Sequence, residues 1–234
     1  MVENLKNKIS HIGVILDGNR RYAKDNNKLV WQGHYEGGKK LKEFLQWCQE
    51  EKIKEITLYT FSMQNFNRPK DEKEKLFELF EKQLDDFIRN HQFEKNNIKI
   101  NFIGRINLFP ENIYKKMIKL MENTKDNSEY IINLAMAYGG REEIIDAINK
   151  ILIDFKNNSN LKINEDNFKN YLYLKSEPDL IIRTGNAKRT SNFLLWQSNY
   201  SEWFFIDKMW PEFTKNDFKE CISEFHSRER RFGK

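Results

Sequence analysis

Short, near-continuously apolar runs alternate along the chain with longer stretches whose apolar residues recur every three or four positions. The short runs, Ile12–Leu16, Glu55–Phe61, Ile98–Ile103, Tyr130–Ala137, Leu180–Arg183 and Trp203–Ile206, predict strands buried on both faces. The long ones predict helices at 34–51, 72–95, 110–125, 140–155, 165–173 and 214–230, the third with Pro110 in its first turn. Such alternation argues for an α/β fold, a mainly parallel sheet with helices on both faces. The polar stretch Lys156–Asn164 reads as a surface loop. No repeat or boundary divides residues 1–234, which are expected to form a single domain.

One helix has two readings. Across 72–95, Leu76, Phe77, Phe80, Leu84, Phe87 and Ile88 form a broad apolar stripe. The pattern by itself favours ordinary core packing; the sharper reading is one wall of a lipid tunnel. The load of 18 Phe, 9 Tyr and 5 Trp fits either.

Charge narrows the partners. The net charge of +5 is a weak bias towards anions, but the arginines cluster at Arg20-Arg21, Arg183, Arg189 and Arg228-Arg230-Arg231. Clustered arginine favours bidentate recognition of oxyanions. A basic nucleic-acid-binding protein would instead show lysine, arginine and exposed aromatics spread over one face, so no nucleic-acid partner is expected. Cys48 and Cys221 stand far apart with no metal-ligand spacing. The first residues contain no apolar leader and no window spans a membrane, so the expected location is cytoplasmic.

The chemistry sits where strands end. After the first strand comes Asp17-Gly18-Asn19-Arg20-Arg21-Tyr22-Ala23-Lys24. Gly18 permits a tight turn, the helix that follows offers free N–H groups, and the arginines add charged donors for a phosphate. Asp17 would repel that phosphate unless a cation lay between them, which points to a hard ion such as Mg²⁺. The plain alternative is an Asx turn with Asp17 as a helix cap. The second strand runs into Ser62-Met63-Gln64-Asn65-Phe66-Asn67-Arg68-Pro69, either a site or a polar loop. From Arg183 the chain enters a small-residue loop with Arg189, Thr190 and Ser191, which could grip one diphosphate; the plain alternative is an ion pair of Arg183 with a nearby carboxylate such as Asp179. Glu202 offers a second carboxylate. The basic tail suits a solvated helix end.

In order, Asp17-Gly18-Asn19-Arg20-Arg21-Tyr22-Ala23-Lys24, Gly33-His34, Phe61-Ser62, Asn65-Phe66, Arg68-Pro69, Tyr138-Gly139-Gly140-Arg141 and Asp179-Leu180-Ile181-Ile182-Arg183-Thr184-Gly185 form one set. Arg189, Ser191-Asn192-Phe193-Leu194-Leu195-Trp196-Gln197, Tyr200-Ser201-Glu202, Trp210-Pro211 and Arg228-Glu229-Arg230-Arg231-Phe232-Gly233 complete it. From about residue 11 to the C-terminus the chain resembles undecaprenyl diphosphate synthase and the wider cis-prenyltransferase family. That resemblance implies a six-stranded, mostly parallel sheet, a hydrophobic tunnel and a homodimer. It further implies Mg²⁺-dependent condensation of isopentenyl diphosphate with an allylic diphosphate, expected to be farnesyl diphosphate, giving a polyprenyl diphosphate lipid carrier, expected to be undecaprenyl diphosphate, for cell-wall glycans. Asp17 matches the family's essential metal-binding aspartate, and Gly18, Asn19, Arg20, Arg21 and Tyr22 its allylic-diphosphate loop, with His34 nearby. Asn65 matches a residue implicated in proton removal, flanked by Ser62, Gln64, Phe66 and Arg68. Arg183, Arg189, Thr190 and Ser191 match the isopentenyl diphosphate site, and Glu202 the second metal ligand. Arg231-Phe232-Gly233 resembles a tail that reaches the partner subunit's site.

Three departures bear on affinity and substrate choice. Val30 stands where arginine is frequent, Asn186-Ala187 replaces a Gly-Glu pair, and Ser62-Met63-Gln64-Asn65-Phe66 softens the usual Ser-x-Glu-Asn-Trp. A short-chain or branched prenyl diphosphate synthase of the same fold is the alternative. A non-catalytic subunit would be expected to lose Asp17 or Arg183. A lipid product also implies transient contact with the inner face of the membrane, although no anchor is visible.

Overall fold

A computed structural model describes residues 8–228 of the chain. Six strands form one sheet in the order β3-β4-β2-β1-β5-β6: β1 (His11–Ile15), β2 (Glu55–Ser62), β3 (Ile98–Ile103), β4 (Tyr130–Tyr138), β5 (Leu180–Arg183) and β6 (Glu202–Phe205). Every pairing is parallel, so the mostly parallel sheet expected from the pattern is wholly so. Among the described residues eight helices connect and flank it: α1 (Asn19–Asp25), α2 (Val30–Glu50), α3 (Lys70–Asn90), α4 (Gln92–Lys95), α5 (Glu111–Asn123), α6 (Gly140–Asn157), α7 (Glu165–Phe168) and α8 (Lys215–Ser227). Both cysteines are buried and unbonded. No helix of the described residues is long and apolar enough to cross a membrane.

Several boundaries move for local reasons. The helix expected over 72–95 is cut at His91, which adopts left-handed backbone (φ 48). The one expected at 34–51 begins at Val30, because the amide of Leu29 donates to Gln32 Oε1 at 2.7 Å and sets the first turn. That expected over 165–173 ends at Phe168. Leu16 leaves β1 because the Asp17 amide turns back onto the Ile15 carbonyl at 2.9 Å.

β1 has β2 on one side and β5 on the other, so the chain departs from it in opposite directions. A crevice at the carboxyl end of the central strand follows from that reversal. Two glycines let α2 press against α1 beside it. A Cβ on Gly33 would stand 2.1 Å from the Asn19 carbonyl oxygen, and one on Gly37 2.3 Å from Asn19 Oδ1. The main core lies between the sheet and α2, α3, α5 and α8, where Phe44 meets Trp210 and Phe218 edge to face at 5.6 and 5.1 Å.

Candidate active site

Asp17 is held between two guanidinium groups. Arg183 Nη2 donates to its Oδ2 at 2.8 Å and Arg21 Nη2 to its Oδ1 at 3.2 Å. The backbone is held as firmly: the Asp17 carbonyl accepts from Thr184 Oγ1 at 2.8 Å and from the Trp210 amide at 2.9 Å. Arg183 emerges from β5 with its side chain 3% exposed. Its other arm donates to Ser191 Oγ and to the Arg189 carbonyl, both at 2.5 Å, while its Nε is buried without a partner. A buried, unanswered donor beside a cleft is a place for an anion. The alternative pairing with Asp179 does not occur, for that carboxylate receives Ser10 and the His11 amide at the opposite end of the sheet.

Two cavities meet at Asp17. One is a cleft of about 570 Å³ lined by Gly18, Asn19, Arg20, Arg21, Lys24, Lys28, Val30, His34 and Arg68. Five cationic side chains face a single carboxylate there, which is the electrostatics of a polyanion site. Lys24 and Lys28 supply positive charge on the wall where Val30 supplies none. The second cavity, about 290 Å³, runs between α2 and α3 past Leu41, Tyr59, Phe61, Leu76, Leu79 and Phe80, with Ser62, Asn65 and Arg183 at its polar end. The α3 stripe therefore does both of the things its sequence allowed. Leu76, Leu79 and Phe80 line the cavity, while Phe77, Phe87 and Ile88 pack on the core.

Glu72, which the motif reading passed over, organises the cationic wall. Its carboxylate accepts from Arg68 Nη1 at 3.2 Å and pairs with Arg20 Nη2 at 3.4 Å. Only the folded chain brings these two arginines round it. His34 lies 3.5 Å from Arg68 Nη1. Burial first, then Arg68 and Arg20, lower its pKa to about 4, so at neutral pH it is an uncharged acceptor.

That shift has a measurable sign. Between about pH 4 and 6.5 the unfolded chain binds a proton at His34 that the native protein refuses, so stability falls as pH drops through that window. A diphosphate beside Arg68 and Arg20 would cancel much of their repulsion and raise the pKa of His34. Binding inorganic diphosphate at pH 5.5 should therefore take up protons beyond those of the ligand itself. Calorimetry in buffers of different ionisation enthalpy should show an excess uptake that His34→Gln abolishes.

Not every expected residue joins the cavities. Asp17, Gly18, Asn19, Arg20, Arg21, His34, Ser62, Asn65, Arg68 and Arg183 line one or both. Tyr22 does not; its ring lies 5.3 Å from the Lys28 ammonium. Gln64 is exposed, and Phe66 turns into an aromatic cluster, edge-on to Phe61 at 5.0 Å. Arg189 and Thr190 have exposed side chains; Arg189 contributes its carbonyl, and Ser191 acts through Arg183.

Glu202 stands apart from Asp17 within the chain. The register pairs it with Leu180, three residues before Arg183 and so about 10 Å back along the strands. Its carboxylate accepts from Arg228 at 2.6 Å instead of facing Asp17. Within one chain the two expected metal ligands do not converge, and among the described residues no group of three His, Cys, Asp or Glu could hold a metal. The expected Arg231-Phe232-Gly233 contact lies outside the described residues.

A site with Asp17 at its centre, a ring of cations in excess of its carboxylates, a free buried donor and an adjoining apolar cavity is suited to a diphosphate with an apolar tail. Residues 15–233 match the family model described as putative undecaprenyl diphosphate synthase. The chain belongs to the cis-prenyltransferase family. It is 44% identical over 229 residues to the tritrans,polycis-undecaprenyl-diphosphate synthase (geranylgeranyl-diphosphate specific) of Thermococcus kodakarensis, covering 96% of this chain and 86% of that one. The enzyme of the same description from Methanocaldococcus jannaschii is 42% identical, with 96% and 82% covered. Among solved structures, lavandulyl diphosphate synthase from Lavandula x intermedia, in complex with dimethylallyl diphosphate, superposes with a TM-score of 0.91 at 30% identity, covering 98% and 100%. A probable undecaprenyl diphosphate synthase from Campylobacter jejuni gives 0.82 at 38%, covering 97% and 100%. This cis-prenyltransferase is thus an enzyme of isoprenoid biosynthesis, and its six-stranded single-domain fold is the family's.

Proposed function

We propose that the chain condenses isopentenyl diphosphate with an allylic diphosphate, most fittingly geranylgeranyl diphosphate, and repeats the addition to make a long polyprenyl diphosphate. The observation that carries this is the position of Asp17, bridged to Arg21 and Arg183 where the cationic cleft opens onto the apolar cavity. The C20 starter replaces the farnesyl diphosphate expected from the family at large, on the strength of relatives 41–44% identical whose names specify geranylgeranyl diphosphate.

Arg20, Arg21, Lys24 and Arg68 bind the allylic diphosphate and stabilise the charge that gathers on it as the carbon–oxygen bond loosens. Arg183, steadied by Ser191, holds isopentenyl diphosphate so that its double bond faces the allylic carbon, and fixing two reactants in line supplies much of the rate. Asn65 borders the apolar cavity with Oδ1 accepting the Ser62 amide at 2.9 Å, where it would help orient the carbon that loses a proton to the released diphosphate. The donor set suits Mg²⁺ only jointly with substrate, one Asp17 carboxylate plus diphosphate oxygens; when bound, the ion supplies neutralisation of the diphosphate charge.

The test is incubation of radiolabelled isopentenyl diphosphate with farnesyl or geranylgeranyl diphosphate, with and without chelator, followed by product sizing. Long products, faster from the C20 starter and lost with chelator, are expected. The small second cavity and the likeness to lavandulyl diphosphate synthase favour one other reading, a single condensation giving a short or branched product. Products no longer than one added unit would establish it.

Dimerisation draws support from α6. Ile145, Ile148, Leu152 and Phe155 are between 41% and 55% exposed and follow a three-four-three spacing, the seam of a helix pair. Their neighbours Ile144 and Ile151 face the other way, onto the cluster of Ala147, Phe168 and Leu172. Two copies of α6 packed together would cover the outer stripe. Ile148→Lys with Leu152→Lys should convert the protein to a monomer in light scattering while leaving its far-UV spectrum intact.

A further inference from the structure

Helix α2 presents a third face that neither packing nor the cavities explain. Gly33, Gly37, Phe44, Trp47 and Cys48 are buried. His34, Gly38 and Leu41 line the apolar cavity. One step further round, at about 100° per residue, come Trp31 and Tyr35. They are 42% and 47% exposed, and Leu29, just ahead of the helix, is 63% exposed. Lysines surround them: Lys28 lines the cationic cleft, and the Lys39 ammonium lies 4.7 Å from the centre of the Tyr35 ring. On this side of the helix the chain carries Lys28, Lys39 and Lys42 against one carboxylate, Glu36, which pairs with Lys28 and Lys39, while Lys40 turns to the far side and pairs with Glu43.

We propose that this face is a docking surface for an anionic lipid bilayer. Leu29, Trp31 and Tyr35 enter the boundary between headgroups and acyl chains, and the lysines meet acidic headgroups. Charge decides the occupant. A second copy packed symmetrically would set the same lysines against themselves, whereas the α6 stripe carries no such cluster. Continuity decides the purpose: the cavity-facing stripe of α2 adjoins the aromatic one, so a polyprenyl chain leaving between α2 and α3 passes into lipid without crossing water. This purpose rests on the prenyltransferase reading; the docking itself does not.

The full-length protein, without substrate, should co-sediment with equimolar phosphatidylglycerol–phosphatidylcholine vesicles and far less with phosphatidylcholine alone. The combined variant Leu29→Ser, Trp31→Ser, Tyr35→Ser should partition at least about tenfold more weakly. Its melting temperature should be unchanged, because all three side chains are at the surface. In detergent it should turn over at the wild-type rate, yet lose the stimulation that vesicles give the wild type. Unaltered vesicle binding by the variant would overturn the proposal, as would dissociation of the variant into monomers, which would make the face an interface between copies. A protein that binds vesicles through these residues but makes no prenyl product under any condition would remove the enzymatic reading and leave the docking surface standing.

Discussion

Asp17→Asn should fold normally and turn over at least about a thousandfold more slowly, in a steady-state assay with saturating isopentenyl diphosphate. The amide keeps an oxygen to accept from Arg183, so the 2.8 Å contact and the buried arginine survive. What it loses is the negative charge that offsets Arg21 and Arg183 and that could share a divalent ion with the diphosphates. Asp17→Ala is the harsher variant. It removes a partner from a guanidinium that is 3% exposed, and the remaining contacts to Ser191 and the Arg189 carbonyl carry no compensating charge. A matching melting temperature for Asp17→Asn alongside lost turnover would separate chemistry from folding. Undiminished turnover in that variant would remove the scheme.

Glu143→Ala should cost about 3–5 kcal/mol, visible as a melting temperature lower by roughly 10–15 °C. Glu143 is 1% exposed. One oxygen accepts from the Tyr173 and Leu174 amides and from Gln197 Nε2, and the other from the Tyr138 hydroxyl. Truncation strands these donors in the interior, each at about 1–3 kcal/mol before relaxation. Burial pushes the Glu143 carboxyl above the usual carboxylate range even though four donors oppose it, a sign of how dry the site is. The effect reaches the active site. Tyr138 packs edge to face on Tyr59 at 5.8 Å, Tyr59 stacks on Phe193 at 4.8 Å, and the Tyr59 hydroxyl donates to the Ser191 carbonyl at 3.4 Å. The KM for isopentenyl diphosphate should therefore rise more than that for the allylic substrate, and Glu143→Gln, which keeps acceptor oxygen, should recover part of both losses.

Much of the architecture was legible because buried parallel strands must be apolar on both faces. The runs at Ile98–Ile103 and Leu180–Arg183 have their expected ends, and the others shift by a residue at one or both ends. Helix ends were less legible. Whether α2 starts at Val30 or at His34 depends on one side-chain acceptor, Gln32, and the break at His91 depends on a single left-handed residue. The seven-residue α1, among polar loop residues, has too little apolar periodicity to announce itself.

For the site, strand ends were the useful signal: Asp17, Ser62 and Arg183 each follow an apolar run, and the sheet order makes their strands neighbours. Glu202 lies apart from them for the same reason in reverse. It opens its strand, so a parallel register places it at the end of the sheet opposite the site. Glu72 gave no signal, since a carboxylate in the first turn of a charged helix is ordinary until two arginines are seen around it.

By itself the sequence determined the fold class, the strand ends that carry chemistry and the ordered motifs of a prenyl-transferring family, because periodicity and residue type are local properties. Tertiary structure decided which charges meet. It joined Asp17 to Arg183 across 166 positions, set Glu202 apart, turned Phe66 into the core and left two apolar stripes, on α2 and α6, facing outward. Ion pairing, burial and exposure depend on distances between segments remote in the chain, and those distances exist only once the sheet has assembled.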